Sequence, residues 1–208
     1  MNINSPRRGR PRDPDRMKRL LTAATKQFLE YGFERASMDT IAKASDVSKM
    51  TIYNYFPSKE ALFEAVVGEI TDGALESIPP EDLDPLSPEI ALSTIGKVFL
   101  KLKRSDNVVG SFRLMYAAAG QHPEACKVFY RQGPEKITQQ VADYLRMASS
   151  EGSLIISSPE VAADQFLSLF LGGADIRVML GMHKPTEAED NQLLNRNVTM
   201  FLGAYKKN

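Results

Sequence analysis

Five of the chain's 12 prolines stand at the one position where an α-helix accepts proline freely, and each is followed by an acid. In Asp13-Pro14-Asp15, Ser87-Pro88-Glu89, His122-Pro123-Glu124, Gly133-Pro134-Glu135 and Ser158-Pro159-Glu160 the missing N–H falls where a helix has no partner for it. The acid that follows sits in the first turn, where the helix dipole favours negative charge. A sixth start, Thr186-Glu187-Ala188-Glu189, has the spacing of a capping box. Between these starts apolar residues recur at helical intervals, as in Met17, Leu20, Leu21, Ala24 and Phe28, and alternation of period two is confined to Leu154-Ile155-Ile156. The chain therefore reads as all-α, with about nine or ten helices.

Length and composition bound the function. At 208 residues the chain is long enough for one large domain or two small ones. Its single cysteine, Cys126, cannot close an intramolecular disulfide, and with only His122 and His183 beside it a structural zinc site is not expected. No apolar run follows Met1 to Arg8, and the longest apolar stretch, Phe166 to Ala174, is too short for a membrane span, so a cytoplasmic protein in a reducing compartment is expected. There is no His-Glu-x-x-His, no nucleophile elbow and no Gly-rich loop opening a helix, so neither an enzyme nor a cofactor is called for. The four prolines between Ile78 and Pro88 mark the expected boundary between an N-terminal and a C-terminal part.

Charge is balanced overall and unbalanced along the chain. Residues 1 to 60 hold 12 basic and 7 acidic side chains, leaving the excess of acid to the remainder. Arg7, Arg8, Arg10 and Arg12, interleaved with Gly9 and Pro11, make residues 1 to 12 an extended basic arm. Such an arm is either a solvated tail or one whose guanidiniums enter a minor groove.

The stretch from 13 to 60 reads as three short helices. The first, about 14 to 31, should end at Gly32 with Phe33 folding back. Ser37 can cap a second helix through about Ala44, Ser45-Asp46-Val47 suffices only for a turn, and Ser48 can cap a third. This is a helix-turn-helix. On its third helix Ile52 and Phe56 face inward, whereas Met50 and Asn54 face out, flanked by Thr51 and Tyr53. That small polar face suits base edges and phosphates in a major groove; the other reading is a solvated face on a packing motif.

From 61 to 208 the expected helices run about 88 to 104, 107 to 119, 123 to 131, 134 to 150, 159 to 181 and 187 to 206. The fifth is apolar on two sides, with Leu167, Leu171, Ala174 and Val178 on one and Gly172-Gly173 at its middle, as if a neighbouring backbone approached there. With Leu194, Val198, Phe201 and Leu202 of the last helix, it suits a four-helix seam between two copies, or else an ordinary single-chain core. Phe99, Leu102, Phe112, Met115 and Tyr116 stand beside the small run Ala117 to Gly120.

The run Met38-Asp39-Thr40-Ile41-Ala42-Lys43-Ala44-Ser45-Asp46-Val47-Ser48-Lys49-Met50-Thr51-Ile52-Tyr53-Asn54-Tyr55-Phe56-Pro57-Ser58-Lys59-Glu60-Ala61-Leu62 resembles the DNA-binding signature of TetR/AcrR-family transcriptional regulators. The resemblance covers roughly residues 14 to 65. It implies a homodimeric regulator, most often a repressor, whose third helices enter successive major grooves of a near-palindromic operator. It also implies that Tyr53, Tyr55 and Lys59 hold phosphates, that Ser37 and Ser48 cap helices whose N-termini point at phosphates, and that Lys49, Thr51 and Asn54 contact bases. Met50, where the family has a small residue, bears on operator sequence, and Asp46 stands where the family usually has Gly. The domain from 61 to 208 is then an effector-binding and dimerisation domain. Its cavity would be drawn from Phe99, Leu102, Phe112, Met115, Tyr116, Phe166 and Phe170 and hold a small apolar or amphipathic effector, oriented by Ser111, Arg113 or Tyr116. The alternative is a regulator of the same fold without an effector, controlled by a protein partner or by abundance. Cys126 is a thiol sensor or an idle cysteine.

Overall fold

The computed structural model describes residues 14–75 and 78–206. Arg7, Arg8 and Arg10 lie outside the described residues. Among the described residues all regular structure is helical apart from one isolated bridge between Leu154 and Lys206, so the all-α reading holds. The chain separates after Leu62 into two compact units.

In the first unit, α1 (Pro14–Arg35) buries Leu20, Leu21, Ala24 and Phe28, the stripe expected from their spacing. Gly32 interrupts it at φ 82° and ψ 164°, a backbone only glycine adopts freely, and the chain makes one more turn to Arg35. The kink returns Phe33 onto Phe28, ring centroids 5.9 Å apart. α2 (Met38–Ser45) and α3 (Lys49–Tyr55) are capped as read from the sequence. Ser37 Oγ accepts from the Thr40 N–H and Ser48 Oγ from the Thr51 N–H, both at 3.2 Å. Between them Asp46 takes the left-handed conformation (φ 55°, ψ 39°) and its N–H returns to the Ala42 carbonyl. Ile41, Val47 and Ile52 are buried on either side of the turn, and the Ser45 hydroxyl, also buried, donates to the Ile41 carbonyl at 2.8 Å. Phe56 lies just beyond α3, extended and half-buried.

α4 (Lys59–Leu75) runs through the division at Leu62. In the second unit, α5 (Pro88–Arg104) packs on α11 (Glu187–Tyr205), and α8 (Lys136–Ser150) packs on α9 (Pro159–Ser168). Leu92, Ile95, Phe99, Val141, Leu145, Phe166, Phe170 and Phe201 form the core they share. Phe166 centres an aromatic chain, its ring edge-on to Phe170 at 5.3 Å and to Phe201 at 5.1 Å. The proline-rich segment is not a boundary: it forms a 3₁₀ turn (Pro80–Leu83), and Ile78 before it is buried in this core. α6 (Asp106–Ala118) and α7 (Pro123–Tyr130) complete the unit with α10 (Gly173–Met179).

Two expectations are corrected here. Gly133-Pro134-Glu135 does not start a helix; α7 continues into α8 through a π-helical turn, Arg131–Glu135, whose wider coil accommodates the proline. The helix expected from 159 to 181 breaks after Ser168, and Gly172 becomes the extended residue before α10. The carbonyl of Leu169, left free by the break, accepts from Nδ2 of buried Asn197 on α11 at 2.9 Å. A Cβ on Gly172 would meet nothing within 4 Å among the described residues of this chain. The close approach is at Gly96, where a Cβ would lie 2.5 Å from Leu194 Cδ1 and 3.0 Å from Phe170 Cζ. Leu167, Leu194, Val198, Phe201 and Leu202, expected at a seam between copies, lie in this core, and Val178 is 2% exposed.

Two substitutions test this packing in urea unfolding of the full chain. Asp46→Val should lose about 1–2 kcal/mol, because a β-branched residue is strained in the left-handed region, while Asp46→Gly should lose nothing or gain up to about 1 kcal/mol. Gly96→Val should lose about 2–3 kcal/mol by overpacking α5 against Leu194 and Phe170.

Candidate nucleic-acid interface and interior cavity

The outward face of α3 is presented by a rigid frame. Ser48, Lys49, Met50, Tyr53 and Asn54 are exposed, Met50 most of all at 77%, and Thr51 and Tyr55 are half-buried. Thr51 Oγ1 bonds Ser48 Oγ at 2.7 Å, and Thr40 Oγ1 bonds Ser37 Oγ at 3.0 Å, so each cap is a pair of hydroxyls. Lys49 is not a free cation: its ammonium donates to Asp39 of α2 at 2.8–2.9 Å, and that bond raises its pKa above the ordinary lysine value. Lys59 is half-buried, donates to the Glu34 carbonyl at 3.0 Å and lies 4.6 Å from the centre of the Phe33 ring. It fastens the start of α4 to the end of α1. Sequence spacing does not reveal the Asp39–Lys49 pair, because it joins two helices across a turn.

The second unit contains a cavity of about 440 Å³. Phe99, Leu102, Phe112 and Tyr116 line it as expected. Met115, Phe166 and Phe170 do not line it, and all three are buried. Val67 and Ile70 of α4 contribute instead, as do Phe129, Ile137, Ile176 and Met179, and Leu167 and Leu171, expected at a seam, face the cavity too. Ser111 lines it, whereas Arg113 does not: its guanidinium caps the end of α10, donating to the carbonyls of Val178 at 2.7 Å and Met179 at 2.8 Å. Cys126 is half-buried, its Sγ 3.7 Å from the Met115 carbonyl.

Two buried charged residues stand in this mostly apolar wall and were not among those expected there. Lys103 is 6% exposed and Asp175 is 9% exposed, with Nζ 3.5 Å from Oδ1. Asp175 Oδ1 also lies 3.4 Å from Arg104, whose other terminal nitrogen reaches Asp190 at 3.3 Å. Lys103 Nζ stands 3.9 Å from the Phe112 ring centre, an attractive cation–π distance. Burial pushes the Lys103 pKa down and the Asp175 carboxylate opposes it. The available signal was Asp175 within an otherwise apolar stretch, since a buried acid demands a cation and Lys103-Arg104 is a basic pair. Among the described residues no group of three or more His, Cys, Asp or Glu could hold a metal, and no helix is long and apolar enough to cross a membrane.

Comparison with known proteins agrees with both halves. Residues 20–66 match the family model for bacterial regulatory proteins of the tetR family, and residues 90–207 match that for the AefR-like transcriptional repressor C-terminal domain. The HTH-type transcriptional regulator RutR of Escherichia coli is 40% identical over 72 residues, 34% of either chain, and YhgD of Bacillus subtilis is 46% identical over 52 residues, 25% of this chain and 27% of its own. The chain thus spans about a third or less of these relatives' length. Among solved structures, the Flavonoid-responsive Regulator FrrA is similar at TM-score 0.75 and 34% identity, over 92% of this chain and 97% of its own. A TetR family regulator from Pseudomonas syringae is similar at TM-score 0.71 and 26% identity, over 94% and 99%. A capped helix-turn-helix before a hollow helical unit, matched along both halves, makes this chain a member of the TetR family of DNA-binding transcriptional regulators, which are typically repressors and not enzymes.

Proposed function

We propose that the protein is a ligand-responsive repressor, acting as a homodimer in the cytoplasm and released from a near-palindromic operator by a small apolar or amphipathic effector. The observation that carries this reading is the apolar cavity of about 440 Å³ in a chain whose other unit presents an exposed, capped α3. A filled interior would have favoured a regulator controlled by a partner or by abundance. FrrA, whose name describes it as flavonoid-responsive, is a further support for a small-molecule signal.

In this reading α3 enters the major groove, with Asn54 and Thr51 at base edges, Met50 selecting against some base arrangements, and Tyr53 and Tyr55 on phosphates. Lys49 exchanges Asp39 for the DNA, Lys59 holds a phosphate beside its bond to Glu34, and Arg7, Arg8 and Arg10 follow the adjacent minor groove. A second copy takes apolar side chains left exposed late in the chain and away from the cavity, such as Val161 and Met200. α4 begins in the first unit and lines the cavity of the second with Val67 and Ile70, so it is the element through which occupancy is felt at the DNA. Moving the population from 99:1 to 1:99 requires roughly 5.5 kcal/mol of differential effector affinity.

Selection from a random duplex pool should recover a palindrome whose half-sites lie about 34–36 Å apart, with affinity falling steeply with salt. Asn54→Ala should cost about 1–3 kcal/mol and relax preference at one base pair per half-site, whereas Tyr53→Phe should weaken all sequences alike by about 1–2 kcal/mol. Recovery of no palindrome by a folded dimer would refute the operator reading. An operator whose affinity no small molecule alters would refute the effector.

A further inference from the structure

The cavity wall holds acceptors beside its donors Lys103, Tyr116 and Ser168. Ser111 and Thr138 both line it, and each has committed its one hydroxyl proton to its own helix. Ser111 Oγ donates to the Asn107 carbonyl at 2.8 Å, and Thr138 Oγ1 donates to the Pro134 carbonyl at 3.0 Å. Toward the cavity these oxygens therefore only accept. The carboxylates of Asp164 and Asp175 in the same wall accept as well. Among the described lining residues Lys103 is the one cation, and its three N–H groups exceed what a single 3.5 Å contact to Asp175 uses.

Neither sign of ligand charge suits this arrangement. A carboxylate drawn to Lys103 would stand beside Asp175, and an ammonium drawn to Asp175 would stand beside Lys103; in a largely apolar cavity such a mismatch is costly. A neutral hydroxyl has no such conflict, because it accepts from Lys103 through its oxygen and donates to Asp175 through its proton. Both cations on Asp175 reach Oδ1. Phe112 and Phe129, ring planes at 89° and centres 5.0 Å apart, offer one face and one edge to a flat ring.

We propose that the effector is an uncharged aromatic molecule carrying hydroxyl groups, one seated between Lys103 and Asp175 and another donating to Ser111 or Thr138. This deepens the effector reading above and rests on it. Lys103 and Thr138 are then specificity-determining residues, and the volume suits a body of roughly two or three rings.

The chain has no tryptophan, so fluorescence of naphthalene probes can be titrated on the full-length protein without indole background. The series is 2-methylnaphthalene, 2-naphthoate, 2-naphthylmethylamine and 2,7-dihydroxynaphthalene, alike in body and different in substituent. The diol should bind at least about tenfold more tightly than the other three, as a hydrogen bond to a charged group allows. Lys103→Met, which leaves Asp175 paired with Arg104, should remove about tenfold of the diol's affinity and leave methylnaphthalene unchanged. Thr138→Val, a change of shape too small to threaten folding, should remove about threefold. Tightest binding by naphthoate or the amine, or a diol advantage that survives both substitutions, overturns the proposal. Equal binding of the diol and methylnaphthalene overturns the ligand class and leaves the cavity as an effector site; no binding by any of the series overturns both.

Discussion

Asp175 is the charge on which the second unit is organised. It stands on a helix of under two turns, in a wall that is otherwise mostly apolar, and it is held there by two cations from the end of α5. An ion pair of this kind is weak evidence for net stability, since desolvation offsets most of the attraction. It is strong evidence for position, because leaving one partner buried and alone costs about 3–5 kcal/mol. Arg113 holds the other end of α10 by its carbonyls, so the helix is tied at both ends by polar contacts. Held by these ties, α10 lines the cavity together with residues of α5, α6 and α8.

The first unit is built on the opposite principle. Its turn is short, its caps are hydroxyl pairs, and its centre is filled by Ile41, Val47 and Ile52. Little in it is free to adjust. A recognition helix needs that stiffness, since its side chains gain specificity only where the backbone has no freedom left to lose. Asp46 accepts a left-handed backbone within this frame, a strain that Asp tolerates better than most residues.

Much of this was legible because the governing physics is local. A proline with an acid behind it, a serine three residues before a free N–H, and a glycine that lets Phe33 return to Phe28 each act within a turn of helix. The helix-turn-helix, its capping serines and its exposed face follow from such signals, as do the starts of α5, α7, α9 and α11. Where the reading failed, two local signals competed. Pro134 has every mark of a helix start, yet tertiary contacts carry the chain through it as a π turn. The apolar pattern runs on through Gly172-Gly173, whereas in the structure the helix breaks before these glycines and a new one starts at Gly173.

What the sequence determined alone is the helical content, the helix-turn-helix and the chemistry of its outward face, all set by contacts between residues near in the chain. What only the tertiary structure decided is which apolar side chains face one another. Phe112, Phe166 and Phe201 are equally hydrophobic to any sequence pattern, but the first borders a cavity and the others fill a core. Burial is non-directional and does not name its partner. The pairing of Lys103 with Asp175, 72 positions apart in sequence, could be stated as a need of the buried acid, and was met only when the chain folded.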